Sequence, residues 1–238
     1  MDYKQLFKGV EYYNENYAHW ASSYQRLRKR GDEYWLHLEK LDQEQIKDDI
    51  IGFLNRWKCR VSYQSAASLK QILENLPLYY AKMENEAIEV IDFDQSKIPE
   101  KQHLLNSEMI RDIMKNFLTV RPKFGPVAAS KLMHMAIPHL FMMWDTEIRS
   151  KYYIPNYYGA NHAQHYLRFL KLMQFQIKHA IDSYTKTHNI DARTAIRKIR
   201  KKDDISTLPR IIDKYNFAIR DGKLKICNEC YNKWLRQS

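Results

Sequence analysis

Glycine and proline are scarce in this chain, 6 and 7 residues of 238. That shortage leaves little room for a turn-rich β architecture, and the apolar residues recur at helical spacing, so the expectation is an all-α protein. Cysteine is scarcer still. Three residues, an odd number in a chain this long, give no disulfide framework and fit a reducing compartment. No apolar run approaches the roughly eighteen residues of a membrane-spanning helix, and residues 1–30 are rich in Tyr, Asn and Arg, unlike a secretory signal. An intracellular protein, in the cytoplasm or nucleoid, is expected. Acidic residues are outnumbered, with Asp+Glu 28 against Lys+Arg 39, a formal net charge of +11 and a pI of about 9.4. Such a surplus favours a polyanionic partner through phosphate contacts and counterion release. Nucleic acid is the partner expected, ahead of an anionic membrane or solubility alone.

What is present is mostly amphipathic helix. Residues 2–30 form one or two helices with Leu6, Val10, Tyr13, Tyr17, Trp20, Tyr24 and Leu27 on one face. Residues 42–57 repeat the pattern with Ile46, Ile50, Phe53, Leu54 and Trp57 after an acidic first turn that suits the helix dipole. Residues 65–87 are helical with a break near Pro77, and residues 88–100 read as an extended connector ending at Ile98-Pro99. Further helices are expected at 101–119, 126–136, 146–152, 160–184, 192–201 and 206–219, with Ser107 a credible cap inside the first of these. No repeat or long linker appears, and the size suits a single compact unit. It divides into an N-terminal helical lobe, 1–100, and a hairpin-containing lobe, 101–238, sharing a cleft.

The most informative stretch runs from Arg121 to Arg149. A helix stops at Arg121-Pro122, Gly125 can adopt positive φ to close a short turn, and Pro126 takes the favoured first position of the next helix. The free amides of Val127 and Ala128 then suit a phosphate. Small residues Ala128, Ala129 and Ser130 let the two helices approach. About twenty residues on, Asp145 precedes Thr-Glu-Ile-Arg and should cap the next helix through its carboxylate. A fixed carboxylate beside an extruded nucleotide can stabilise positive charge on the sugar and orient or deprotonate a water. An ordinary helical hairpin followed by a capping aspartate would show the same residues.

Taken together, the turn, the apolar helix and the capped Asp145-Thr146-Glu147-Ile148 segment resemble the DNA glycosylase superfamily named for its helix-hairpin-helix, glycine/proline-rich loop and aspartate. The resemblance covers about 40 residues. It implies a central hairpin unit in a bilobal helical protein, with Lys123, Phe124, Gly125, Val127, Ala128 and Lys131 at the phosphate and Asp145 as the catalytic carboxylate. A monovalent cation on the turn carbonyls belongs to the same implication. The family turn reads Leu-Pro-Gly-Val-Gly; Arg121-Pro122-Lys123-Phe124-Gly125 keeps the proline and the second glycine only, and Lys123 adds charge where the first glycine is missing. Members with lyase activity carry a lysine two positions after that second glycine, where this chain has Val127. A monofunctional, water-using enzyme acting on double-stranded DNA with a damaged or mismatched base is therefore implied, as a monomer that requires no cofactor. Four C-terminal cysteines hold an iron-sulfur cluster in some members; Cys59, Cys227 and Cys230 are too few for one.

A flipped base needs aromatic walls, and Trp144, Trp20, Tyr24, Tyr79 and Tyr80 are the candidates, each of which helical core packing would also explain. Residues 192–202 carry Arg193, Arg197, Lys198, Arg200, Lys201 and Lys202, a helix suited to backbone contact or simply to a solvated face. Cys227-Asn-Glu-Cys230 with His162 and His165 is the sole zinc-like pattern, and without a second pair at ligand spacing no metal is expected; packing near Trp234 accounts for the cysteines. His134 and His139 flank the hairpin and are assigned to packing.

Overall fold

Side-chain caps mark where the chain enters helix. In the computed structural model, which describes residues 1–94, 105–155, 161–203, 207–228 and 231–232, Asp2 accepts the Gln5 amide at 2.8 Å and opens α1 (Tyr3–Asn16). After α2 (Ala18–Arg28), Gly31 at φ 86° makes the left-handed turn into α3 (Asp32–Leu36), a backbone conformation that favours glycine. Asp42 and Gln45 cap each other's backbone at the start of α4 (Gln43–Gln45). That helix continues through a π-helical stretch, Ile46–Ile51, into α5 (Gly52–Arg56). α6 (Ala66–Glu74) and α7 (Pro77–Met83) are separated at Pro77, which starts the second where its missing N–H costs nothing.

The remaining elements are α8 (Asn106–Leu118), α9 (Pro126–Ala136), α10 (Thr146–Lys151), α11 (His162–His188), α12 (Ala192–Arg200) and α13 (Leu208–Arg220). The all-α expectation holds: among the described residues there is no β-strand. Ser107 does not cap α8. The helix already includes it, and Glu108 reaches back to the Leu105 amide at 2.8 Å instead. Residues 88–94, the described part of the expected extended connector, form turns. The expected starts at Lys101, Ala160 and Ser206, the Ile98-Pro99 connector, and Cys230 and Trp234 lie outside the described residues. No helix among those described is long and apolar enough to cross a membrane.

α13 forms the centre of the packing. Its residues are buried on nearly every side, from Leu208 and Ile211 to Tyr215 and Ile219, and its polar members Arg210, Asp213, Lys214 and Asn216 are buried too. Each is partnered: Arg210 with Asp213 and Tyr13, Lys214 with Asp203 and Asn14, Asn216 with Tyr152, as buried polar groups must be. α1 lies against α13 so closely that a Cβ added to Gly9 would sit 2.7 Å from the Tyr215 Cα. α8, α9 and α11 complete the core, one apolar cluster running from Met1 to Ile219.

Candidate active site

The start of α9 and the start of α10 open on the same cavity, of about 550 Å³. Local chemistry brings them together. Ser130, fully buried in α9, donates to the Val127 carbonyl at 2.9 Å and accepts the Trp144 amide at 3.0 Å. One turn on, His134 Nδ1–H donates to the Phe141 carbonyl at 2.6 Å while its Nε2 accepts the Tyr24 hydroxyl at 2.9 Å. Tyr166 of α11 donates to the Met142 carbonyl at 2.8 Å. The segment between α9 and α10 is thus pinned at three backbone points, and Asp145 follows the last of them.

Asp145 caps α10 as expected, with extended backbone (φ −97°, ψ 162°) and its Oδ1 accepting the Ile148 amide at 2.8 Å. Its Oδ2 faces Arg220 Nη1 at 3.7 Å. Arg220 is a junction: it also reaches Glu147 (3.4 Å), Asp221 (2.9 Å) and the Tyr17 hydroxyl (2.7 Å), and lies over the Phe217 ring at 4.2 Å. Burial pulls its guanidinium down, but Asp221, Tyr17 and Asp145 outweigh it and hold Arg220 above the ordinary arginine value. Burial and the bond to Asp221 push Tyr17 up to about 12.

Deeper in the cavity stand Lys131, Cys59, Arg210 and Asp213. Lys131 donates to the Trp57 carbonyl at 2.8 Å, lies 3.4 Å from Cys59 Sγ and sits over the Trp57 ring at 5.5 Å. It is anchored rather than free. Burial raises the Cys59 thiol despite Lys131, which keeps the sulfur protonated and a poor nucleophile. Asp213 pairs with Arg210. Burial, opposed by Arg210 and reinforced by Asp145, pushes the Asp213 carboxyl up to about 6.

The aromatic walls differ from those expected. Trp20 lines the cavity, joined by Trp57, Tyr13, Tyr17 and Phe217. Trp144 does not: it is fully buried behind Asp145, against Tyr166, Phe169 and the Arg149 guanidinium. Tyr24 is buried one layer back, stacked on Trp57 and bonded to His134. Tyr79 and Tyr80 lie in α7, away from the lining, with Tyr80 buried. The missed residues Trp57, Tyr13 and Tyr17 show the same helical spacing as the core, so periodicity could not separate cavity wall from interior. Arg210, Asp213 and Arg220 carried no motif.

At the hairpin, Gly125 is the N-cap of α9 with φ −101° and ψ 169°, ordinary extended backbone and not the positive φ expected. A Cβ built on it meets nothing within 4 Å. The glycine leaves open space above the helix start rather than permitting a strained turn. The amides of Val127 and Ala128 have no hydrogen-bond acceptor among the described residues. Lys123 is exposed, whereas the Phe124 ring turns inward onto Phe117 at 5.8 Å and the Ala128 side chain is buried. The Lys123 carbonyl accepts from Ser65 Oγ at 3.4 Å and the Gly125 carbonyl accepts the Ala129 amide at 3.1 Å.

The basic residues of α12 do not line the cavity. Arg193, Arg197, Lys198, Arg200 and Lys201 are all exposed, and none forms an ion pair among the described residues; Ala195 and Ile199 face inward. His162 contacts Arg149, and among the described residues no three His, Cys, Asp or Glu side chains gather as metal ligands. His134 packs in the core, as expected, and burial pushes its imidazole down to about 3. No protein-family model, curated protein or solved structure matches this chain.

Proposed function

We propose that this protein is a monofunctional base-excision glycosylase that binds duplex DNA, extrudes a damaged or mismatched base and hydrolyses its N-glycosidic bond with Asp145. The observation that carries the reading is the shared cavity. Val127 at the start of α9 and Asp145 at the start of α10 line one space, and 550 Å³ is ample for a nucleobase. These are the two positions that the resemblance sets beside the reacting sugar.

The chemistry then follows from the residues. Duplex DNA lies with a phosphate over Gly125, accepting from the Val127 and Ala128 amides and facing Lys123. Trp20, Trp57, Tyr13 and Tyr17 offer stacking surface to the extruded base. As the bond from C1′ to the base nitrogen lengthens, the Asp145 carboxylate stabilises the positive charge on the sugar. A water bonded to the same carboxylate attacks C1′ and gives up its proton to it, and the departing base carries the electron pair of the broken bond and takes up a proton. Val127 offers no amine, and Lys131 is held by Trp57 and Cys59. The product is accordingly an abasic site with both strands intact.

The exposed cations of α12 are free to meet further backbone phosphates, where each neutralised phosphate releases counterions. A second reading has an observation of its own: both Asp145 oxygens have partners, Ile148 and Arg220, as a purely structural cap would. In that reading the protein binds DNA through the hairpin without excising anything. Incubation with duplexes carrying uracil, hypoxanthine, alkylated or oxidised bases, followed by alkaline scission at abasic sites, separates the two. Strand scission only after alkali supports the glycosylase, and none on any duplex leaves the binding module.

A further inference from the structure

On α10, outside the cavity lining, a buried guanidinium has no acid partner among the described residues. Arg149 is 1% exposed. Its Nη2 donates to the Pro155 carbonyl and lies 3.2 Å from Nδ1 of His162, the first residue of α11. Its plane covers the Trp144 ring at 4.3 Å. No carboxylate lies within ion-pair distance of it among the described residues, and residues 156–160, Asn-Tyr-Tyr-Gly-Ala, contain no acid. Buried arginines are ordinarily paired, because an ion removed from water without a counterion is costly.

The surroundings deepen the imbalance. Arg149 Nε, Trp144 Nε1 and His165 Nδ1 are all buried without a hydrogen-bond partner. Arg111 Nε is buried and unpartnered as well, while its Nη1 holds Gln164 at 3.2 Å and its Nη2 meets Glu108 at 3.9 Å. Arg168 adds its charge beside His165. All of this surrounds the N-terminus of the 27-residue α11, where the helix dipole is positive. Unpartnered arginine, indole and imidazole nitrogens near one helix start have one chemical complement in common.

We propose that Arg149, Trp144 and His165, at the start of α11, form a binding site for an oxyanion of the phosphate class. The unpartnered Arg149 Nε–H offers such a group a charge-assisted hydrogen bond, and the indole N–H and a protonated imidazole supply further donors. The site does not depend on the glycosylase reading, since none of its donors lines the cavity. Burial alone now holds Arg149 down at about 10, and burial with the neighbouring cations holds His162 and His165 below the ordinary histidine value. A bound anion reverses that sign for both histidines.

The test uses the full chain, labelled with ¹⁵N, titrated with inorganic phosphate against chloride at constant ionic strength. The His165 pKa should rise by about one unit and the Trp144 indole resonance should shift saturably, with His134, outside the cluster, unmoved. Single His162→Gln, His165→Gln and Trp144→Phe variants assign the signals. The response should vanish in Arg149→Leu and partly survive in Arg149→Lys; if Arg149→Leu does not fold, the wild-type titration still decides. A wild-type protein whose His165 and Trp144 signals respond to phosphate no more than to chloride overturns the proposal. An unphosphorylated DNA duplex provides the second arm. If it displaces phosphate from the site, the bound group is a backbone phosphate; if it does not, it is a free phosphate-bearing molecule.

Discussion

The Ser130 hydroxyl accepts the Trp144 amide at 3.0 Å, and that bond fixes where Asp145 stands relative to the start of α9. A single small side chain on the hairpin helix thus supplies the last of the three anchors before the candidate catalytic carboxylate. Ser130→Ala leaves the buried Trp144 amide unpaired and should cost about 1–3 kcal/mol of stability. Urea unfolding of the two proteins measures it; equal midpoints with equal slopes would show that the bond does not hold the segment.

Gly125 separates a structural glycine from one that leaves room for a ligand. Its backbone is open to any residue and a Cβ there meets nothing, so Gly125→Ala should melt with the wild type. A phosphate that approaches the Val127 and Ala128 amides would meet the new methyl group. DNA binding should weaken several-fold in Gly125→Ala at fixed salt. Lys123→Ala should reduce the slope of log affinity against log salt by about one. Unchanged binding in both variants would place the DNA elsewhere.

Gly9 presents the opposite case. Its neighbour in α13 is backbone, with Tyr215 Cα 2.7 Å from the added Cβ, so α1 and α13 must part to admit alanine. Gly9→Ala should destabilise by about 1–3 kcal/mol. It should also disturb the cavity wall that Tyr13, Tyr17 and Phe217 build, visible as altered near-ultraviolet circular dichroism.

Two buried groups should shape the stability of the protein against pH in opposite senses. The unfolded chain protonates His134 near pH 6.5, whereas burial holds the folded imidazole neutral until about pH 3. The stability this contributes is complete above pH 6.5 and is lost as the pH falls toward 3. Asp213 acts in the other sense: its raised carboxyl contributes stability at low pH that is lost as the pH rises through about 6. The two effects oppose each other between about pH 6 and pH 4, so the wild-type urea midpoint should stay nearly level there, whereas His134→Gln, left with the Asp213 effect, should start lower at pH 7 and rise as the pH falls.

Helix positions were legible where the ends carry chemistry. Pro126 opening α9 and Asp145 capping α10 put those starts where the residues indicated. The π-helical stretch Ile46–Ile51 was not legible, because its apolar spacing mimics an α-helix and the wider turn comes from packing. The Gly125 turn was misread because glycine permits positive φ without requiring it. Trp144 was taken for a wall through its adjacency to Asp145, yet consecutive residues in extended backbone point to opposite sides. Arg149 reads in sequence as one more surface cation; only the three-dimensional packing shows it buried, with no acid partner among the described residues.

In the proposed reaction Asp145 does chemistry as well as capping α10. Once a duplex is found that the protein excises, single-turnover excision by the wild type and Asp145→Asn should be compared, with binding of both proteins to the same duplex measured in parallel. Asparagine can still cap the helix, so the fold and the DNA affinity should persist while the excision rate falls by about two orders of magnitude or more. Equal excision rates in the two proteins would contradict the account and leave Asp145 a helix cap.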